Sequence, residues 1–392
     1  MVKDSSFRPI FNRQLIFAES VVRAQVVLSG PRVEPSEADI FEKIFCGWVR
    51  EAVLPHVTVN LEKIRAEKQG PAKYRYSPIN EVALVKFFLE HFLLCLKDST
   101  TCNENLEEIK LNTTGIQRRK ALNNALNFGN ETLRVILNNA TSHMLKAITP
   151  GTVSTVDEAV WSYFSRIANK EEKLRFLKNK PHDFGLLCYL HSQPLHYSEL
   201  PVVLAFEAVF LDDPPTPIIA LNRLRATLLR AGAQLSADHI TVTDSLWSYP
   251  AHFNQYLNLG QKVVVSVKEN SGTIPIELLN LASRDLPIGN SRTYYDGKLV
   301  LQVVQTADHV TSVLTTAARV RGEAELSLCR LLTYASAKAL FENETPASLI
   351  KAYDKHFAHL RLVLNGHVVF RSIIDLTSPR SCSLSLKSKL YS

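Results

Sequence analysis

Residues 153–158 read VSTVDE, a β-branched run that ends in an Asp-Glu pair just after Thr149-Pro150-Gly151. A similar run, HITVTD at residues 239–244, also ends in an aspartate. β-Branched residues are typical of strands, so Asp157 and Asp244 each close a predicted strand. Strand ends that meet at one edge of a sheet bring their carboxylates together, which suits a hard divalent cation such as Mg²⁺ and metal-dependent phosphoryl transfer. Because Asp also begins turns and caps helices, a purely structural role stays open.

Other polar residues near these runs are less suited to chemistry. Glu158 follows Asp157 on an extended strand, so the two side chains are predicted to point to opposite faces. Asp212-Asp213 precede two prolines and predict a turn. The histidines of this region lack the spacing of a zinc site, and we interpret them as surface or strand residues: His182, His191 and His196.

Composition limits the class of protein. The chain has 392 residues, enough for two or three domains. Its most apolar window, residues 82–96, is interrupted by charged residues and is too short to cross a bilayer. The N-terminus lacks an apolar signal region, and six scattered cysteines form no C-x-x-C pair, so we expect an intracellular protein with reduced thiols and no membrane association. No phosphate-binding loop, dinucleotide fingerprint or G-x-S-x-G elbow is present, so no nucleotide cofactor is expected.

Basic residues are in modest excess, with a formal net charge of +7. They are concentrated in Arg118-Arg119-Lys120, in residues 170–180, which include Lys178 and Lys180, and in the tail at 361–389. Each group could be a solvated helix face. Together with two aspartates at a sheet edge, they are better explained as a track for nucleic-acid phosphates.

The order of motifs over roughly the last two thirds of the chain resembles the piggyBac transposase family. That family carries a PG…IDE pattern, then KP…G, then a DN-type block. Here the counterparts are residues 149–158, Lys180-Pro181 with Gly185, and residues 244–248. Residues 262–279 resemble the strand and helix that follow in the family, and residues 297–316 resemble its later hairpin.

The resemblance implies an RNase H-like core that uses three acidic residues and Mg²⁺ to cut and rejoin DNA. Asp157 and Asp244 take the first and second acid positions, and both would be metal ligands. The third position is occupied by Arg361, whose guanidinium stays protonated and repels a cation. Asp354 is the nearest candidate substitute, and Asp308 is a further acid to inspect.

The predicted fold is α/β, with an RNase H-like mixed sheet, an inserted β segment and an N-terminal helical domain. Strands at 153–161, 184–192 and 200–211 form a three-strand meander, followed by alternating helices and strands up to residue 282. A hairpin covers 293–304, and helices cover 37–56, 80–97 and 119–147, the first broken by Pro55 and by the segment at residues 65–78. The predicted domains are a flexible arm at 1–35, a helical DNA-binding and dimerisation-like domain at 36–148, the core at 149–290 and 318–365, the β segment at 291–317 and a basic tail at 366–392.

Two functions follow from the resemblance. The first is a transposase-derived, DNA-binding protein that has lost cleavage, acting as a binding or scaffolding factor or persisting as a decayed element. The second is an active DNA recombinase whose third acid has moved, with Mg²⁺ as cofactor. The expected partner is double-stranded DNA, contacted by Arg118, Arg119, Lys120, Lys178, Lys180 and Arg361. A homodimer and a nuclear location are further expectations from the family.

Overall fold

The structure, a computed structural model, describes residues 8–14, 41–96 and 115–316, except for residues 152, 163–174, 177–183, 196–197, 211–215, 236, 238, 259, 268–271, 289, 297–298 and 306–309. The predictions on everything beyond residue 316, and those on the following residues, lie outside this range: Lys178, Lys180, His182, His196, Asp212, Asp213, Asp308, Asp354 and Arg361.

A ten-stranded mixed sheet runs through the molecule. Its strands are β1 (Arg8–Gln14), β2 (Val153–Ser162), β3 (Arg175–Phe176), β4 (Phe184–Leu195), β5 (Ser198–Ala208), β6 (Ile240–Thr243), β7 (Lys262–Ser266), β8 (Asn290–Asp296), β9 (Leu299–Gln305) and β10 (Val310–Thr315). Their order is β1-β8-β9-β10-β7-β6-β2-β4-β3, with β5 also paired to β4.

The middle of this sheet has the RNase H-like topology that the sequence predicts. Strands β2, β4 and β5 form an antiparallel meander, β6 pairs parallel with β2, and β7 pairs parallel with β6. β4 and β5 are largely apolar, as is expected of strands whose two faces are both covered by helices. Strands β8, β9 and β10 extend the sheet beyond β7 as an antiparallel segment, and β8 and β9 form the predicted hairpin. Within the predicted N-terminal arm, β1 pairs with β8 along its whole length.

Seven α-helices are described: α1 (Leu54–Ala66), α2 (Glu81–Leu96), α3 (Ile116–Ala125), α4 (Asn130–Ala147), α5 (Pro217–Arg230), α6 (Pro250–Asn258) and α7 (Ile276–Ser283). None of them is long and apolar enough to span a membrane.

The first predicted helix differs from the structure at its C-terminal end. Two π-helical segments, Phe41–Cys46 and Val49–Val53, lead into α1, which continues to Ala66. Pro55 does not break the helix because it lies in the first turn of α1, where a backbone N–H has no partner within the helix. The predicted break at Pro55 is therefore wrong, whereas the helix does end within the predicted breaking segment, residues 65–78.

The single predicted helix at 119–147 is two helices. α3 ends at a cap on Leu126, and α4 begins after Gly129, whose backbone is extended. Between them Phe128 is only 2% exposed and meets His56 of α1 edge-to-face at 6.2 Å. Burial of this aromatic ring stabilises a turn that the local hydrophobic periodicity does not predict.

Two hydrophobic clusters lie on opposite faces of the sheet. Cluster A joins the sheet to α5, α6 and α7, and includes Val156, Tyr189, Leu224, Tyr256 and Leu278. Cluster B joins the other face to the N-terminal helices, and includes Trp48, Phe88, Phe128, Ala159 and Leu190. The N-terminal helices therefore share a core with the sheet.

Candidate functional site

Asp157 and Asp244 occupy neighbouring positions on two parallel strands: Asp244 directly follows the end of β6, whereas β2 continues past Asp157 to Ser162. The last register pair of β2 and β6 joins Val156 to Thr243, and the two aspartates follow directly. Asp244 keeps an extended backbone, with φ −80° and ψ −174°. Adjacent strands are about 5 Å apart, so both carboxylates project from the same face of the sheet at neighbouring positions.

Local hydrogen bonds orient both carboxylates. Asp157 is 6% exposed, and its Oδ1 accepts a hydrogen bond from the backbone N–H of Glu158 at 2.8 Å. Oδ1 of Asp244 accepts from the N–H of Leu246 at 2.8 Å and caps the short 3₁₀ turn Ser245–Trp247. Asp244 therefore does cap a turn, which is the structural role that the sequence left open. It accounts for one carboxylate oxygen and keeps the group at the sheet edge.

Trp247 anchors the turn that carries Asp244. Its side chain is fully buried, and its indole N–H donates to the carbonyl of Pro217 at the start of α5, at 3.1 Å. Its ring also meets Tyr189 of β4 edge-to-face at 5.9 Å. Thr273 adds a further tie, since its hydroxyl donates to the carbonyl of Ser248. These contacts fix the position of Asp244 relative to α5, to β4 and to the loop that carries Thr273.

Two neighbours of the aspartates complete this edge. Glu158 pairs with Tyr189, a residue of cluster A, so its side chain lies on the face opposite Asp157. Ser266 ends β7 and follows the register pair of Thr243 with Val265, which places it beside Asp244 on the same face. Sequence reasoning missed Ser266 because nothing in the run KVVVSV distinguishes a serine at a strand end from an ordinary surface residue.

Two adjacent carboxylates fit the donor preference of Mg²⁺, which proteins often hold through one or two carboxylates together with water and substrate phosphate oxygens. In the described part of the chain, no group of three or more His, Cys, Asp or Glu side chains could hold a metal ion. Asp157 and Asp244 could thus supply two carboxylate ligands, and the described residues add no third to form such a group.

The basic group at the start of α3 is not uniformly turned to solvent. Arg118 donates to the backbone carbonyls of Arg75 at 2.8 Å and Pro78 at 3.2 Å. Burial lowers the pKa of its guanidinium, although not enough to remove the charge at neutral pH. Arg119 is half-buried, whereas Lys120 is exposed. Arg118 thus fastens the preceding segment to α3.

A buried histidine pair lies against the N-terminal half of β2, where His191 pairs with Val156. His239 Nδ1 is 3.0 Å from the carbonyl of Gly151, and its Nε2 is 2.8 Å from the hydroxyl of Ser154. The ring of His191 stacks on His239, with centroids 6.2 Å apart. Burial is the main cause that lowers the pKa of His191 to about 3, and electrostatic repulsion from His239 and Arg225 adds to it. Burial is also the main cause that lowers the pKa of His239. Both rings are therefore neutral at physiological pH and serve the packing of the sheet.

A buried carboxylate joins α4 and α5 to the sheet. Glu207 of β5 has a side chain only 3% exposed, and its Oε1 accepts from Arg223 of α5 at 2.9 Å. Arg134 of α4 lies 3.8 Å from the same oxygen and places its guanidinium over the ring of Phe210. This arrangement ties α4 and α5 to one strand of the sheet.

Comparisons with known proteins extend this description. The chain matches no protein-family model. Two Dictyostelium discoideum proteins described as "Suppressor of smlA" are each 22% identical to it over 273 residues, covering 66% of this chain and 46% of theirs. The chain therefore spans just under half the length of these curated relatives.

A solved structure is also similar to this chain. The cryo-EM structure of a piggyBac transposase synaptic complex with hairpin DNA aligns over 93% of this chain and 84% of its own, with a TM-score of 0.55 and 14% sequence identity. Combined with the strand order described above, this alignment shows that the chain has a fold similar to that of piggyBac transposase.

Proposed function

We propose that this chain is a transposase-derived DNA-binding protein whose catalytic site no longer cleaves. The observation that carries the proposal is the neighbouring positions of Asp157 within β2 and Asp244 at the end of β6, in an RNase H-like sheet. The structural neighbour is a transposase bound to DNA, which supports double-stranded DNA as the partner. A homodimer and a nuclear location belong to the same proposal.

Loss of cleavage is proposed from the third acid position, where the resemblance places Arg361. Two-metal phosphoryl transfer needs carboxylates that hold both cations about 4 Å apart. A guanidinium at this position supplies no ligand and repels cations, but it suits a DNA phosphate, to which arginine donates two parallel hydrogen bonds. Under this proposal Asp157 and Asp244 are oriented for chemistry, and Arg361 contacts the DNA backbone instead.

The alternative is an active, Mg²⁺-dependent recombinase in which Asp354 supplies the third carboxylate. Mg²⁺ would then provide charge stabilisation for the phosphate under attack. Asp157 would act as the bridging ligand and Asp244 as the second ligand, each oriented by the backbone hydrogen bond described above. The backbone geometry at both aspartates favours this alternative over a protein that has lost the site altogether.

The deciding experiment combines DNA binding with nicking of supercoiled plasmid in Mg²⁺ or Mn²⁺. The matched variants are Asp157→Asn, at the site, and Asp285→Asn, at an exposed aspartate whose side chain is 87% accessible. We expect the wild-type chain and both variants to bind plasmid without nicking it. Nicking by the wild-type chain and by Asp285→Asn, but not by Asp157→Asn, would establish the active alternative. Absence of binding over a wide protein range would overturn DNA as the partner.

A further inference from the structure

A short 3₁₀ segment, Gly70–Tyr76, presents most of its side chains to solvent although it is held in place by the contacts of its backbone and of Tyr76. It contributes no buried residue to either core cluster. Arg118 donates to the carbonyl of Arg75, and the side-chain amide of Asn124 donates to the hydroxyl of Tyr76 at 3.3 Å. α1 and α3 both contact this segment. Because its backbone is held in place while most of its side chains are exposed, this segment is suited to binding a partner through those side chains.

The displayed residues are mainly cationic. Residues 61–76 and α3 together carry eight Lys or Arg residues and two Glu residues, Glu62 and Glu67. Five of the cations are exposed, and we call them the basic surface: Lys63, Lys68, Lys73, Arg75 and Lys120. Within the ranges that the structure covers, none of these five forms a salt bridge. Their side chains are exposed, and no described acidic side chain pairs with their charge.

Lys120 belongs to the same surface as the 3₁₀ segment. The exposed positions of α3 include Gln117, Lys120 and Asn124, which recur at helical spacing and define one face. Asn124 contacts Tyr76, so this face of α3 adjoins the segment that carries Lys73 and Arg75.

An aromatic side chain lies between the two cations of the segment. Tyr74 is 76% exposed, the highest value among the large apolar and aromatic side chains in the described part of the chain. Exposed aromatic rings between cations provide a stacking platform for unpaired bases, while the cations contact the flanking phosphates. An apolar ligand would not need the surrounding cations.

We propose that the basic surface binds DNA that presents an unpaired base, with Lys73 and Arg75 on the phosphates and Tyr74 stacked on that base. The inference rests on the DNA binding proposed above, and it adds the form of DNA and the residues that recognise it. Arg118 takes a positioning role, because it holds the carbonyl of Arg75 and fixes the segment on α3.

The test measures binding of the full chain to a labelled blunt duplex and to the same duplex with a single-stranded overhang, by fluorescence anisotropy over a range of salt. The double variant Lys73→Glu/Arg75→Glu should lose at least about tenfold in affinity for both DNAs and lower the salt slope by about two. Tyr74→Ala should weaken overhang binding by about five- to a hundredfold and leave the blunt duplex nearly unchanged, while Tyr74→Phe retains overhang binding.

Matched controls distinguish a specific role of the basic surface from the general effect of reversing a charge or removing an aromatic ring. Arg284→Glu changes an exposed arginine at the end of α7, on the opposite face of the sheet, and Tyr249→Ala removes a ring that is 42% exposed. Both should bind like wild type. If the wild-type chain binds DNA and the Lys73, Arg75 and Tyr74 variants bind it equally well, this inference is wrong. The proposed function would then still stand. No binding by the wild-type chain would overturn both, and equal weakening of both DNAs by Tyr74→Ala would overturn base stacking.

Discussion

At the residue scale, Glu207 shows how burial decides the strength of an ion pair. Its side chain is 3% exposed between Arg223 and Arg134, whereas Glu131, which pairs with Arg134 at 2.9 Å, is 79% exposed. Leaving two arginines without their buried carboxylate costs much more than removing a solvated partner. Solvent screening keeps an exposed pair weak.

We therefore expect Glu207→Gln to lower the free energy of unfolding by about 2 kcal/mol. Glu131→Gln, the matched control, should change it by less than about 0.5 kcal/mol. Urea unfolding followed by circular dichroism measures both. Equal effects would show that Glu207 is solvated in solution and does not tie the helical domain to the sheet.

His191 makes the stability of the fold depend on pH. The pKa of His191 is about 3 in the folded chain, against an ordinary value of 6.5, because the ring is buried and faces His239 and Arg225. Between these values the unfolded chain binds a proton that the folded chain does not, so stability is complete above about pH 6.5 and falls as the pH drops towards 3.

His191→Leu should remove this contribution. Between about pH 7.5 and pH 5, the variant is expected to lose about 2 kcal/mol less unfolding free energy than wild type, at roughly 1.4 kcal/mol for each pH unit below 6.5. Chemical unfolding at the two pH values gives the comparison. If the two proteins lose the same amount, the ring is hydrated or paired in solution.

At the element scale, α5 ends in a motif that needs a left-handed residue. Gly232 has φ +86°, and the next residue, Ala233, donates from its backbone N–H to the carbonyl of Leu228 at 2.9 Å, which closes a Schellman-type end. A side chain at Gly232 would meet open space, so backbone conformation alone determines the effect of substitution.

Gly232→Ala should reduce the unfolding free energy by about 1 kcal/mol, since an alanine Cβ is disfavoured in this region. Gly232→Asn is the control at the same position, because asparagine tolerates left-handed backbone, and it should recover most of the loss. Thermal midpoints of the two variants decide the matter. A similar loss in both would point to a cause other than φ.

Several elements could be predicted from local pattern, and others could not. The β-branched runs gave β2, β6 and β7, and the leucine spacing gave α5, because each signal lies within a few residues. The break before α4 was missed because Phe128 is buried against His56, a partner more than 70 positions away.

The candidate site shows the same division. Asp157 and Asp244 could be chosen because aspartates that end strands gather at a sheet edge. Trp247, Ser266 and the His191–His239 pair could not, since their roles arise from contacts between strands and helices that are distant in sequence. Periodicity carries no information about such pairings.

At the scale of the whole molecule, the sheet is shared between two cores. Along β2, Val156 belongs to cluster A and Ala159 to cluster B, so the same strand supports the helices on both faces. Loss of either cluster exposes the strands that support the other. The N-terminal helices and the RNase H-like core are therefore expected to unfold together.

Tryptophan fluorescence can test this coupling because the chain has three tryptophans: Trp48 lies in cluster B and Trp247 in cluster A. Replacing Trp161 and one of these two by Phe yields variants that each report one cluster. Within each variant, emission and far-UV circular dichroism should have the same urea midpoint. An earlier transition for Trp48 emission would reveal an independently unfolding helical domain.

The register that pairs Val156 with Thr243 also constrains how this gene can change in length. Substitutions along β2 alter one contact each, whereas a single codon inserted or deleted between residues 153 and 156 shifts every following side chain to the other face of the sheet. Asp157 would then point into cluster A, and Glu158 would be carried to the face of Asp244. Reading-frame-preserving indels in this short stretch should therefore be far rarer among related genes than point changes.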